Sequence, residues 1–492
     1  MMVEQKPTAI KAATISSLFW KFFERGGRAV VELVVQIVMA RLLLPEQFGA
    51  LAIMLIFVNV GNVIVQSGLN TAIVQVPDVS ARDCSTVFWL SFAISVVLYL
   101  AIFALAPFIA SYYGMIQLVW PLRALALILI VNSYNAVQVA IVQRSLQFRK
   151  VFNATIASVV ISGVAGVTCA FAGFGLWALV VQQLLYQFTN CAIMAAQLRW
   201  LPSLVIDFKR ARVLFSFGWK LLISGLLDQG YQSFSDLIIG KQFSVSSLGL
   251  VSQGKRYPQA IGNLLDGAIQ PVMLSAVSRV QGDVAYVKRL VRRALKTSTY
   301  LIAPSMTLFA VVAEPLVRLL LGEQWLPCVP FLQMYCLIYA LLPIHTSNLQ
   351  ALNGMGRSDL FLKLELIKKA YGVIFILLGA FVFNDVYCLV GGYVVASIIS
   401  TFVNAWPNRK IIGYSYQEQI RDIFPSLLLT AISSAPAAAV SLLGLPDVAT
   451  VLLQAAVMAV SYLGLSRLFR VEALSYLLST AKELLASKKV AR

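Results

Sequence analysis

The chain has 492 residues, 59% of them hydrophobic and only 12% charged, with a formal net charge of +18. A soluble domain carries roughly 25% charged residues, so a water-soluble fold is excluded. The six cysteines (Cys84, Cys169, Cys191, Cys328, Cys336, Cys388) are scattered without a C-x-x-C, which excludes a disulfide framework or a zinc site; only Cys328 and Cys388 are placed to pair near one outer face.

Fourteen membrane-spanning helices are expected, at 15–40, 47–76, 85–109, 118–143, 152–172, 176–198, 213–240, 247–278, 297–320, 329–353, 364–382, 387–406, 422–442 and 447–466. About 20 apolar residues cross a bilayer as a helix, and hydrocarbon tolerates no unpaired backbone. Val151 to Leu198 has no charged residue; it is long enough for two spans hinged at Gly173-Phe174-Gly175. The alternation of a β-barrel is absent. The first apolar stretch is long and interrupted by charge, so no cleavable leader is expected. Connections are too short for a soluble domain. After Arg470, a stripe of Leu474, Leu477, Leu478, Ala481, Leu484 and Leu485 opposes Lys482, Lys488 and Lys489. That pattern predicts an amphipathic helix lying on an anionic leaflet or docking on a partner.

Orientation follows from the basic residues. With the N-terminus inside, 27 of the 39 Lys and Arg fall in inside segments; Arg41, Lys241 and Arg318 fall outside. Positive charge is retained on the cytoplasmic side, so a multi-pass inner-membrane protein with both termini cytoplasmic is expected. The same bias accounts for the net charge without nucleic acid. The chain also repeats itself about 200 residues on: Trp20-Lys21 returns as Trp219-Lys220, Phe48-Gly49 as Leu248-Gly249, and Pro107, Gly114 and Pro121 as Pro315, Gly322 and Pro330. Two six-helix lobes related by a pseudo-two-fold axis are therefore expected: an N-lobe at 1–198, a cytoplasmic linker at 199–212 and a C-lobe at 213–412. Two extra spans at 413–468 and the tail at 469–492 complete the chain.

Several spans carry charges that lipid would not tolerate. Lys21, Arg25, Arg28 and Glu32 are spaced 0, 4, 7 and 11, with Glu24 beside them, which puts the row within about 60° on one helix face. Asn59, Asn62, Gln66 and Asn70 form a matching stripe in the second span, and Arg123 lies in the fourth. Later spans add Lys220, Asp228 and Asp236, then Lys255, Arg256, Gln259, Asp266 and Gln270. A charge at mid-bilayer costs about 2.5–3.5 kcal/mol, so these groups line a hydrated path, or join helices as ion pairs. Lys368 and Lys369 sit where their stems can snorkel. His345, the only histidine, reads as a packed residue before a proton relay.

Ala40-Arg41-Leu42-Leu43-Leu44-Pro45-Glu46-Gln47-Phe48-Gly49, followed by Gly68-Leu69 and Ala72, resembles the opening signature of Wzx-type polysaccharide flippases of the MOP superfamily. Gly218-Trp219-Lys220, Leu248-Gly249 with Lys255, Gly322-Glu323-Gln324-Trp325 and Asn353-Gly354-Met355-Gly356-Arg357 extend the resemblance over nearly the whole chain, nearest the colanic-acid-exporter branch. The resemblance implies a MATE-like helical fold working by alternating access as a monomer, and no enzymatic activity. It implies transfer of an undecaprenyl-pyrophosphate-linked oligosaccharide to the periplasmic leaflet, with a polysaccharide polymerase and co-polymerase as partners. Lys21, Arg25, Arg28, Arg123, Lys220, Lys255 and Arg256 would then meet anionic groups, with Asn59, Asn62 and Asn70 as further substrate contacts. Glu24, Glu32, Asp228, Asp236 and Asp266 would couple H⁺ or Na⁺, or hold the cations in place. No metal site and no cofactor are expected. A MATE-type cation or drug antiporter, or a flippase for another lipid-linked wall precursor, are the alternatives.

Overall fold

The computed structural model describes residues 27–66, 70, 73–74 and 79–479. Of the expected site residues, Lys21, Glu24 and Arg25 lie outside them, as does the side chain of Lys220. All regular structure among the described residues is helical, because only helices let long apolar segments satisfy their own backbone. Among the described residues, nine helices are long and apolar enough to cross a membrane, or ten with one bent pair counted as a single span. The chain folds as two compact units divided after Gly249.

The first unit contains α1 (27–42), α2 (Pro45–Gln66), α3 (Ala81–Tyr112), α4 (Val119–Leu125), α5 (Leu127–Ser145), α6 (Phe148–Phe171), α7 (Leu176–Leu198) and α8 (Phe208–Ile238). A capping box starts α3: the Asp83 amide donates to Ser80 Oγ at 3.2 Å, and the Ser80 amide donates to Asp83 Oδ2 at 2.8 Å. Together these satisfy two amides that a helix start otherwise leaves open. The uncharged run folds as the α6–α7 hairpin, turning where Gly173 and Gly175 take φ of +80° and +55°, a region glycine enters without steric penalty. The segment between α7 and α8 is strapped down. Tyr134 Oη donates to Trp200 O at 2.5 Å, Trp89 Nε1 donates to Ser203 O at 2.9 Å, and Arg210 pairs with Asp83 at 3.2 Å.

Helix α9 (Val245–Arg279) begins in the first unit. Its start touches the start of α2 backbone to backbone. A Cβ on Gly49 would fall 1.8 Å from Val245 O, and one on Gly249 would fall 1.9 Å from Pro45 O. The glycines of the repeated Phe48-Gly49 and Leu248-Gly249 steps thus permit one reciprocal contact.

The second unit continues with α10 (Val284–Val311), α11 (Ala313–Leu320), α12 (Val329–Ala340), α13 (Leu342–Gly354), α14 (Ser358–Leu377), α15 (Val386–Ile411), α16 (Tyr416–Ala439), α17 (Asp447–Leu468) and α18 (472–479). The structure departs from two expectations here. The span expected at 297–320 is bent by 64° between α10 and α11, where the Pro315 ring would strike the carbonyl of Val311 four residues back. And most of the expected 279–296 connection is helical, because its charges find partners. Arg292 Nε meets Asp422 Oδ2 at 2.6 Å, Lys296 meets Glu472 at 2.7 Å and Asp422 at 3.4 Å, and Lys288 meets Glu418 at 2.9 Å. Through these pairs α10 grips α16 and the tail. The tail's Leu474 and Leu477 pack on Tyr300, Leu429 and Tyr462, so this part of its apolar stripe meets protein. All six cysteines are free, Cys328 buried and Cys388 exposed.

Candidate functional site

Of the first span's charged row, the structure describes Arg28 and Glu32. They form an ion pair of 2.7 Å on α1, both part-exposed, and the Arg28 guanidinium also lies 5.3 Å from the Tyr186 ring centroid on α7. Arg123 is held differently: its Nε donates to Phe103 O at 3.1 Å, and its guanidinium lies over the rings of Phe103 and Trp120 at 4.0 and 4.9 Å. Aromatic faces attract a cation through their quadrupole, so Arg123 is engaged locally. Asp228, exposed on α8, accepts from Gln232 at 2.9 Å, and Asp236 is half-buried on the same helix.

The stripe of α2 leads to a larger polar cluster. Asn62 Oδ1 accepts from Asn132 Nδ2 on α5 at 2.7 Å, and Asn132 Oδ1 accepts in turn from Gln187 on α7. Gln187 follows Tyr186, so this amide chain begins one residue from the ring beneath Arg28. Asn59 is exposed. Next to the chain, Gln66 and Asn70 face Asn132, Asn135, Val139 and Gln143 around a cavity of ≈ 270 Å³. No lining residue is charged. The Oδ1 atoms of Asn70 and Asn135 are buried and have no hydrogen-bond partner among the described residues.

Asn132, Asn135, Gln143 and Gln187 were not among the expected site residues. The first three follow the 0, 3, 11 steps of the α2 stripe, with Val139 where that stripe has Gln66. The periodicity is visible in the sequence; that it faces the α2 stripe is not.

In the second unit, Lys255 is half-buried and forms no ion pair among the described residues, while Arg256 is exposed. Asp266 accepts from Gln270 at 2.7 Å and from Thr346. Both His345 ring nitrogens are engaged, Nε2 with Ser397 at 3.2 Å and Nδ1 with Asn404 at 3.0 Å, as a packed histidine requires. Lys368 meets Glu365 at 2.5 Å. Among the described residues no three His, Cys, Asp or Glu cluster as a metal site would.

Compared with known proteins, the chain matches the family model described as "Polysaccharide biosynthesis protein" over residues 38–330. The succinoglycan biosynthesis transport protein ExoT of Rhizobium meliloti (strain 1021) is 25% identical over 439 residues, covering 89% of this chain and 87% of ExoT. Among solved structures, the lipid II flippase MurJ in an inward closed conformation matches with a TM-score of 0.73 at 14% identity, over 92% of this chain and 98% of MurJ. An inward-facing multidrug resistance MATE family transporter of the MOP superfamily matches at 0.62 and 15% identity, over 78% and 94%. At such identities the two structures speak for a shared fold.

Proposed function

Because the chain belongs to the polysaccharide biosynthesis protein family, we propose that it is a flippase moving a polyprenyl-diphosphate-linked oligosaccharide from the cytoplasmic to the periplasmic leaflet of the inner membrane. The observation that carries this reading is the neighbourhood of Arg28 and the amide chain through Asn62, Asn132 and Gln187. A cation and a row of neutral amides inside apolar helices suit a headgroup that is anionic at one end and polyhydroxylic beyond it. Arg25, Arg28 and Lys21 are assigned to the diphosphate, for which charge-assisted bonds are the strong contacts. Lys220, Lys255 and Arg256 serve the same cargo, and Arg123 only after leaving its aromatic neighbours. Glu24, Glu32, Asp228, Asp236 and Asp266 are assigned to H⁺ or Na⁺ coupling or to holding the cations. The membrane potential helps directly, since outward movement of an anion gains about 2.3 kcal/mol per charge per 100 mV. A polymerase and co-polymerase take the product.

Exchange of Arg28 for alanine tests this. Loss of a charge-assisted bond of roughly 1.5–3 kcal/mol should abolish polysaccharide export while the protein stays in the membrane, and lysine should restore only part, lacking the planar fork. Normal polymer output at native expression would defeat the assignment; export of a cationic dye in its place would favour the MATE-type reading. The proposed orientation places Ser203 inside and Phe383 outside. In a cysteine-free background, an impermeant thiol reagent on intact cells should label Phe383→Cys and spare Ser203→Cys, and the reverse pattern would invert the topology.

A further inference from the structure

The cavity between the end of α2 and α5 is polar without being charged, and four of its five amide side chains are open. The side chains of Gln66, Asn70, Asn135 and Gln143 make no hydrogen bond among the described residues, and the Oδ1 atoms of Asn70 and Asn135 are buried without a partner. A buried acceptor left unsatisfied costs about 1–3 kcal/mol, so such atoms call for an explanation.

We propose that this cavity is a subsite for neutral sugar rings of the translocated headgroup, separate from the cations that meet its phosphates. The inference rests on the flippase reading and adds which part of the cargo meets which part of the protein. A pyranose hydroxyl both donates and accepts, and so does a carboxamide, which offers two donors and a carbonyl acceptor. A lining of cations would select phosphates or uronic acids, and a lining of carboxylates would select cations; this lining has neither. The terminal torsion of an Asn side chain is soft, so the closed-off acceptors of Asn70 and Asn135 can turn toward a ring hydroxyl. Asn132 is already fixed by its bonds to Asn62 and Gln187, and so supplies a placed partner rather than one that must be ordered on binding. Val139, Ala136 and Ala140 complete the lining, giving the C–H face of a ring an apolar floor. Were these amides only glue between helices, they would bond one another, as Asn348, Asn408 and Gln419 do in the second unit.

The test uses purified full-length protein and native mass spectrometry with three synthetic probes: undecaprenyl diphosphate, the same lipid bearing one glucose, and the same lipid bearing a glucose disaccharide. Wild type should bind the sugar-bearing probes about tenfold more tightly than the bare diphosphate, the gain expected of one or two neutral hydrogen bonds. Asn135→Leu and Gln143→Leu should lose that gain while binding undecaprenyl diphosphate as wild type does; Asn135→Gln, which keeps the amide, should retain part of it. A sugar gain unchanged in both leucine variants, or no gain in wild type, overturns the subsite. Failure of wild type to bind any of the three probes would bring down the flippase reading itself, and the subsite with it.

Discussion

Two clusters of amides, one in each unit, use the same residue types to opposite ends. In the second unit, Asn348, Asn408 and Gln419 sit almost wholly out of solvent and bond to each other: Asn348 Nδ2 donates to Gln419 Oε1 at 2.8 Å, and Asn348 Oδ1 accepts from Asn408 at 2.7 Å and Gln419 at 3.0 Å. These bonds tie α13, α15 and α16 together. In the first unit, Asn70, Asn135 and Gln143 surround a cavity and bond to none of their neighbours. Composition does not tell such clusters apart. What separates them is whether the amides bond one another, since a bonded network stiffens a fold even with one acceptor, Asn408 Oδ1, left over, and an open one leaves binding capacity unspent.

The strongest challenge to this contrast is Asn348→Leu. It strands Gln419 Oε1 inside the unit and leaves Asn408 Nδ2 and Gln419 Nε2 only their bonds to the carbonyls of residue 348 and Tyr414. With about 1–3 kcal/mol for the stranded group and about 1 kcal/mol for each lost bond, the folded state should lose about 3 kcal/mol. Thermal unfolding in detergent reads it, and a change under about 1 kcal/mol would show that the network is not structural. Asn135→Leu sharpens the other side. It removes an acceptor that has no partner, so stability should stay within about 1 kcal/mol of wild type, whatever happens to sugar binding. A loss as large as that of Asn348→Leu would place Asn135 among the structural amides.

The smallest expected effect concerns a charge satisfied in the open. The Lys296 ammonium at 2.7 Å holds the Glu472 carboxyl below its ordinary value of 4.5. A carboxyl with a lowered folded-state pKa adds stability above its unfolded value and loses it as the pH falls through the folded one. Because Glu472 is largely exposed, the pair is worth less than about 1 kcal/mol. Melting curves taken through and below pH 4.5 should show slightly less acid destabilisation for Glu472→Gln than for wild type. A steeper acid loss in the variant would contradict the sign.

Hydropathy made the α6–α7 hairpin legible, because 48 residues without a charge admit few other structures and the Gly-Phe-Gly hinge marks the turn. It misjudged α10, where Lys288, Arg292 and Lys296 read as a solvated connection. Their partners Glu418, Asp422 and Glu472 lie more than a hundred residues away in sequence, and a windowed reading sees charge without seeing its complement. For Arg123 too the charge is legible in the sequence and its surroundings are not: its contacts are two rings and a carbonyl. Asn132, Asn135 and Gln143 repeat the spacing of the second span's amide stripe, but the pairing of the two stripes is supplied only by the fold.

Duplicated segments are free to drift apart because each copy answers to different neighbours. At Gly49 and Gly249 each copy is the other's neighbour. A methyl group added to either would be forbidden by the same close approach, so the two positions share one constraint rather than bearing two. Their alanine variants should accordingly not add: the first forces the helix starts apart, and the second enters a gap already opened. A contact made of backbone alone also has no rotamers to rearrange. The two helix starts can turn against each other there without any side chain changing its well, as a bearing turns on bare metal.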